Sequence, residues 1–179
     1  VPDAECEASE ICVESDGTYF KLQGSDGGSV EVKAMVAYAG KLAEGGKVLR
    51  AKAVRHGCAT RAPREFWEES TAAVGTRFDL SKVKLAHMGS DGEAQYLSGF
   101  LRCGCDEVHS IDPFHVNRKV RSCFGREDRK LADNILGVVI DGDAAVAADL
   151  VERAGKLGIA KKNYADVASF LRDNAEAIY

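Results

Sequence analysis

The sequence predicts a mixed α/β domain: an antiparallel meander, then parallel strands flanked by helices, then a C-terminal helical region. Three observations lead there. Up to about residue 57, apolar and polar side chains alternate in short stretches broken by Gly- and Asp-rich turns, the period-two mark of antiparallel strands. From Pro63 the repeat lengthens to three or four residues, as on one face of a helix. Short apolar runs and helical stretches then take turns, an order that sets a sheet with parallel members against helices.

The elements follow in order. Residues 1–9 (VPDAECEAS) are acidic and without period, which predicts a flexible N-terminal segment. "ICVES" alternates Ile11, Val13 and Ser15 against Cys12, Glu14 and Asp16 and predicts a first strand. "TYFKLQ" (18–23) reads as a second, "GSDGG" (24–28) as a loop, "SVEVKAMVAYAG" (29–40) as a third strand, and "KVLRAKAVRHG" (47–57) as a fourth. Pro63 suits a first helical turn, and Trp67, Thr71, Val74 and Phe78 carry the helix over 63–78. "SKVKLAHM" (81–88) returns to strand. "DGEAQYLSGFLRCG" (91–104) fits a helix closed by Gly104, and "DEVHSI" (106–111) is a further strand. Asp112-Pro113 is a cap followed by Pro at the first helical position, with Val116, Val120 and Phe124 as the apolar stripe. Ile135 to Ile140 close a second helix of this region. Asp143 is placed to cap a third, with Val146, Leu150 and Leu157 on one face, and Tyr164, Val167 and Leu171 mark a fourth. This is the order of the ribonuclease H-like fold. That fold sets its first strand beside the first parallel strand after the meander, and ligands gather at strand C-terminal ends near such a switch of order.

Composition narrows the function. With 179 residues, 45% hydrophobic and 29% charged, the chain can bury a real core. No apolar run approaches the ~20 residues of a membrane span. The chain shows no secretory signal and begins at Val, so the expectation is a cytoplasmic protein, here as a processed chain or an excised piece of a longer one. The net charge of −4 means that contact with nucleic acid needs a local basic patch. The six cysteines form no Cys-x-x-Cys pair, and Cys103-Gly104-Cys105 is too tight for a usual zinc knuckle. They are read as reduced thiols rather than a disulfide framework.

The triplet Ser-Asp-Gly occurs at 15–17, 25–27 and 90–92. Asp16 ends the first predicted strand, and Asp91 follows the 81–88 strand. If those strands are parallel neighbours, both carboxylates project from one edge of the sheet, where a hard cation such as Mg²⁺ would relieve their repulsion. Two such ions ~3.5–4 Å apart serve phosphodiester cleavage. The plainer readings are a hairpin turn at Asp16-Gly17 and a helix cap at Asp91. Asp26 reads as a turn only. Further on, "SIDPFHVNRKVRSCFGREDRK" holds Asp112, His115 and a basic run of Arg118, Lys119, Arg121, Arg126, Arg129 and Lys130. Such a helix can track a phosphate backbone, or be a solvated face pairing with Glu127 and Asp128. Asp112 reads first as a helix cap. His115 reads as a packing residue or as a group aimed into the cleft. His56, His87 and His109 have no partner at metal spacing and are read as structural.

"VESDGTYFKLQ", "MGSDGEAQYL" and "SIDPFHVNRKV", in that order, with "REFWEES" and "RFDLSKV" between them, resemble successive motifs of DDE-type transposases of bacterial insertion sequences. The closest likeness is to the ISLre-type family of the Mutator-like group. The resemblance covers residues 10–125 well and the helical tail loosely. It implies a ribonuclease H-like catalytic core over 10–125 and a helical insertion over 126–179. It also implies a triad of two Asp and one Glu binding Mg²⁺ or Mn²⁺. The first acid falls on Asp16 and the second on Asp91. His115 matches the His of a Cys-x-x-His element whose Cys position holds Asp112, an accessory residue of open role. Arg118, Lys119, Arg121 and Arg126 would contact DNA. No Glu stands in the third motif, so the final acid is expected beyond Tyr179, and the chain as given is expected to be inactive alone. The implied activity is metal-dependent hydrolysis and strand transfer at transposon ends, with DNA as partner, no membrane, and a homo-oligomer for the full-length protein. A ribonuclease H-like nuclease, or a non-catalytic nucleic-acid-binding or assembly domain that kept the fold, are the rival readings.

Overall fold

The computed structural model describes residues 6–23, 28–44, 47–59, 62–93, 96 and 103–178. The chain divides into two compact units, Val1–His109 and Ser110–Tyr179.

The first unit carries a five-stranded mixed sheet. Its strands are β1 (Glu10–Lys21), β2 (Ser29–Tyr38), β5 (Val54–Cys58), β6 (Leu85–Ser90) and β7 (Asp106–Ile111), in the order β5-β2-β1-β6-β7. A separate hairpin pairs β3 (Gly40–Glu44) with β4 (Lys47–Ala51). β1 runs antiparallel to β2 from Cys12↔Tyr38 to Lys21↔Ser29 and parallel to β6 from Glu10↔Leu85 to Glu14↔Gly89. β2 runs antiparallel to β5. The expected neighbours of the first strand are thus the observed ones.

The expected turn at Asp16-Gly17 does not form. Residues 10–21 are one strand, and the readings 11–15 and 18–23 merge into it. The alternation passes through Asp16 without a change of phase, since Ile11, Val13 and Ser15 are buried while Asp16 is exposed. Ten consecutive ladder pairs with β2 outweigh the local turn preference of Asp-Gly. The chain reverses later, where the Leu22 N–H donates to the Gly28 carbonyl at 2.8 Å. The turn reading of Asp26 lies outside the described residues. The single expected strand over 47–57 is two, β4 and β5, broken around Lys52, whose φ is 55°.

The core lies on one face of this sheet. Ile11, Val13, Met35, Ala37, Ala86 and Met88 pack with Phe66, Trp67 and Val74 of α1 (Pro63–Gly75) and with Phe78 and Val83. Pro63 opens α1 as expected. From Cys6 onward the N-terminal stretch is not loose. Cys6 is buried, bridges Phe78, and its carbonyl accepts from the Asp79 N–H, while Ser9 accepts from Lys84. Of the helix expected over 91–104, residues 94–95 and 97–102 lie outside the described residues.

The second unit is helical: α2 (Pro113–Ser122), α3 (Arg129–Ile140), α4 (Ala144–Lys156) and α5 (Tyr164–Asp173). Asp112 caps α2, its carboxylate accepting from the Phe114 N–H at 2.8 Å. Val116, Val120 and Phe124 are buried as the stripe predicts. Val146, Leu150 and Leu157 are exposed, and Ala144, Ala147, Ala148, Val151 and Ala154 of α4 are buried. Small residues bring α4 close to its neighbours, so the smaller side chains take the interior. Arg172 of α5 clasps Asp149 and Glu152 of α4, each at 2.6 Å. Lys156 first and Arg172 second hold the Glu152 carboxyl down to about 2. No helix among the described residues is long and apolar enough to cross a membrane.

Candidate functional site

The parallel register of β1 and β6 decides where the two aspartates stand. The parallel ladder runs to Glu14↔Gly89; Asp16 lies two residues beyond it on β1, and Asp91 two residues beyond it, just past the end of β6 at Ser90. Neighbouring strands lie about 4.8 Å apart. Alternation puts Asp16 on the face of Cys12 and Glu14, and continuing the alternation of β6 one residue past its end would put Asp91 on the face of His87 and Gly89. Each carboxylate uses Oδ1 locally: Asp16 accepts from the Gly17 N–H at 2.8 Å and Asp91 from the Glu93 N–H at 2.9 Å. Asp91 therefore also makes the Asx-type contact expected of a cap. Among the described residues no protein donor to either Oδ2 is recorded.

Further acids gather at this end of the sheet. Tyr96 is buried, its ring edge-on to Phe66. Burial first, then the carboxylates of Glu31, Asp91, Glu93 and Asp16, push its hydroxyl far above the usual phenol range. The hydroxyl donates to Glu31 Oε1 at 3.4 Å, and the ammonium of buried Lys33 donates to Glu31 Oε2. Gly17 lets this happen: a Cβ there would stand 2.4 Å from the Tyr96 hydroxyl and 2.8 Å from Glu31 Oε1.

Glu14, the next acid on the face of Asp16, is already engaged. Tyr38 and Arg50 donate to it at 2.5 and 2.6 Å, and Lys41 lies at 3.3 Å. Burial raises its carboxyl, but these three donors win and the net shift is downward. It is tied to the β3–β4 hairpin rather than open to a cation.

The remaining predicted residues belong to the second unit. His115 is half-buried, its ring edge-on to Phe114 at 5.4 Å. Arg121 is engaged with Asp133 at 2.7 Å and with Asn117 at 2.6 Å, not with Glu127 or Asp128. The Lys119 ammonium sits 5.1 Å over the Phe170 ring. Arg118 and Arg126 are exposed. Asp112 serves as the α2 cap.

Sequence reasoning missed Glu31, Lys33 and Tyr96. The signal was there: in "SVEVKAMVA" Glu31 and Lys33 share the strand face of Met35 and Ala37, so a pair of charges points inward. It also missed His56. His56, Cys58 and Glu69 bring their ligand atoms within 4.8 Å of one another. The structural reading of His56 rested on sequence spacing, whereas its acidic neighbour comes from α1, 13 residues on. His87 and His109 stand by Glu10 and Glu107 at 3.4 and 2.9 Å. No disulfide joins any of the six cysteines.

No curated protein matches the chain. A family model does, along nearly its whole length: residues 6–178 match the uncharacterised protein family UPF0236, and the chain belongs to that family.

Proposed function

We propose that this chain is the catalytic core of a DDE-type transposase, cutting and joining DNA with a divalent metal held by Asp16 and Asp91. One observation supports the reading: β1 and β6 are parallel neighbours, and their register, carried two residues past Glu14↔Gly89, would bring the two carboxylates side by side on one face. The strand order β5-β2-β1-β6-β7, with three antiparallel members followed by the parallel β1–β6 step, supports a ribonuclease H-like arrangement, with β3–β4 as an inserted hairpin. The donor set fits a hard cation. Two carboxylates on adjacent strands offer anionic oxygen and leave room for water and phosphate oxygens.

Mg²⁺ or Mn²⁺ bound there would supply Lewis-acid stabilisation of charge on the phosphate. The chain's own part is positional. β1 and β6 fix the spacing of the two acids, and the backbone N–H groups of Gly17 and Glu93 hold one oxygen of each. Glu93, whose backbone N–H meets Asp91, adds negative potential, which raises cation affinity. Arg118, Lys119 and Arg126 are the exposed cations of the predicted DNA-contacting set, and His115 is the predicted partner in positioning DNA.

Mn²⁺ binding tests the reading directly. Asp16→Asn and Asp91→Asn should each weaken Mn²⁺ binding by at least about tenfold, because each removes an anionic ligand. Stability should stay within about 0.5 kcal/mol, as for surface substitutions. In the transposase that carries this core, either change should abolish cleavage of transposon ends. Cleavage retained in Asp16→Asn would sink the assignment. Hydrolysis of RNA hybrids without strand transfer would favour a nuclease instead. Unchanged Mn²⁺ binding in both variants would favour a non-catalytic domain.

A further inference from the structure

We infer that His56, Cys58 and Glu69 form a transition-metal site, best suited to Zn²⁺, that clips helix α1 to the edge strand β5. The site is independent of the carboxylate pair. Its nitrogen and sulfur donors disfavour Mg²⁺ and suit a borderline-soft ion.

The geometry follows from local structure. His56 and Cys58 are two residues apart on β5, so they share a face. That face is the one of Met35 and Lys33, their ladder partners on β2, and α1 packs across it. Phe66, in the first turn of α1, meets the His56 ring at 6.0 Å. Glu69 follows Phe66 by three residues, which places it on the flank of α1 above His56. His56 Nε2 and Glu69 Oε2 are 3.2 Å apart, and all three ligand atoms lie within 4.8 Å of one another. A tetrahedral ion with bonds of about 2.0–2.3 Å holds its ligand atoms roughly 3.3–3.6 Å apart. Turning side chains closes the difference, and Glu69, 58% exposed, is free to turn. β5 is an edge strand, so the ion has a way in.

The neighbouring charges agree with this. The ammonium of Lys33, across the ladder from Cys58, is turned to Glu31. Asp16 lies two strands away, through Ala34 and Gly57, and on the opposite face by alternation. A second pair of thiols, Cys103 and Cys105, has its sulfurs 3.2 Å apart. Burial and then Cys103 push the Cys105 thiol up to about 12, which makes it a poor thiolate donor at neutral pH. Binding at Cys58 releases the thiol proton, one per ion, and three protein ligands leave a fourth position for water.

Cobalt reports thiolate ligation by colour. The whole chain, stripped of metal, should take up Co²⁺ with a near-ultraviolet thiolate-to-cobalt charge-transfer band, and Zn²⁺ should displace it. Cys58→Ser should abolish the band. Loss of a supporting partner of a ligand already weakens binding about 10- to 100-fold, so Glu69→Gln, which removes a ligand, should weaken it at least as much. Glu69 is exposed, so this variant stays folded even if Cys58→Ser does not. Asp16→Asn should leave the band and its affinity unchanged, while Mn²⁺ binding weakens at least about tenfold in that variant if the carboxylate reading holds. The inference is overturned if no charge-transfer band forms, if the band survives Cys58→Ser, or if Glu69→Gln binds cobalt as tightly as the original chain.

Discussion

Gly17 sits where the backbone of β1 passes under two side chains that cannot retreat. Tyr96 is packed against Phe66, and Glu31 is held by Lys33. A methyl group at residue 17 would overlap both, at 2.4 and 2.8 Å, and over-packing of this kind costs about 1–3 kcal/mol. Gly17→Ala should therefore lose about that much stability in urea unfolding, despite the better strand propensity of Ala. A stability change near zero would show that the Tyr96 ring can move aside. The same neighbourhood shows what the sequence revealed at this scale. Asp16 and Asp91 could be named because each ends or follows an apolar run within a repeated triplet. Glu31 and Lys33 could have been named as charges at core-facing strand positions. His56, Cys58 and Glu69 could not, because only the packing of α1 on β5 brings them together, and no one-dimensional spacing encodes that packing.

Helix α4 packs against α5 through its smallest residues. Gly155 faces Tyr164 so closely that a Cβ would stand 2.2 Å from Cγ and 2.3 Å from each Cδ of the ring. Cγ is the root of the ring, so rotation about the ring axis cannot clear it. Gly155 is the penultimate residue of α4, where replacing Gly by Ala gains at most about 1 kcal/mol of helix propensity, and the overlap costs about 1–3 kcal/mol. Gly155→Ala should therefore be destabilising by up to about 2 kcal/mol, measurable as a lower midpoint in urea with an unchanged slope. A stabilised variant would mean that Tyr164 swings out at little cost. The close approach also explains which face of α4 is buried. Val146, Leu150 and Leu157 are larger apolar residues, yet they are exposed. Ala144, Ala147, Ala148 and Ala154 share a helical face with Val151 and take the interior because they admit a nearby helix. The other elements were more legible: β7 and the start of α2 fall at their predicted bounds, since a cap and Pro punctuate the chain there. The local turn signal at Asp16-Gly17 misled, because it weighs little against the long ladder of β1.

Each unit of the chain has its own buried cluster. Phe66, Val13 and Met88 belong to one, and Val120, Val151 and Leu171 to the other. The sequence drew its boundary at 125/126, where the resemblance to transposase motifs fades, whereas packing divides the chain at 109/110. The two lines answer different questions. Motifs follow chemistry along the chain, but Val116 and Val120 of α2 bury their stripe among α3, α4 and α5, so α2 folds with the helical tail. Separate cores imply separate protection against hydrogen exchange. Leu171 is fully buried, and Leu171→Ala should cost about 2–5 kcal/mol. Amides of α2 to α5 that exchange by opening of the second unit should then exchange at least about 30-fold faster, at tenfold per 1.4 kcal/mol. Those of β1, β2 and β6 should keep their rates. Phe66→Ala, at about 3–5 kcal/mol, should do the reverse. Segment-resolved exchange read by mass spectrometry decides it. Equal acceleration of both sets in either variant would show that the two clusters open together, and the division at residue 109 would then mark no boundary in folding.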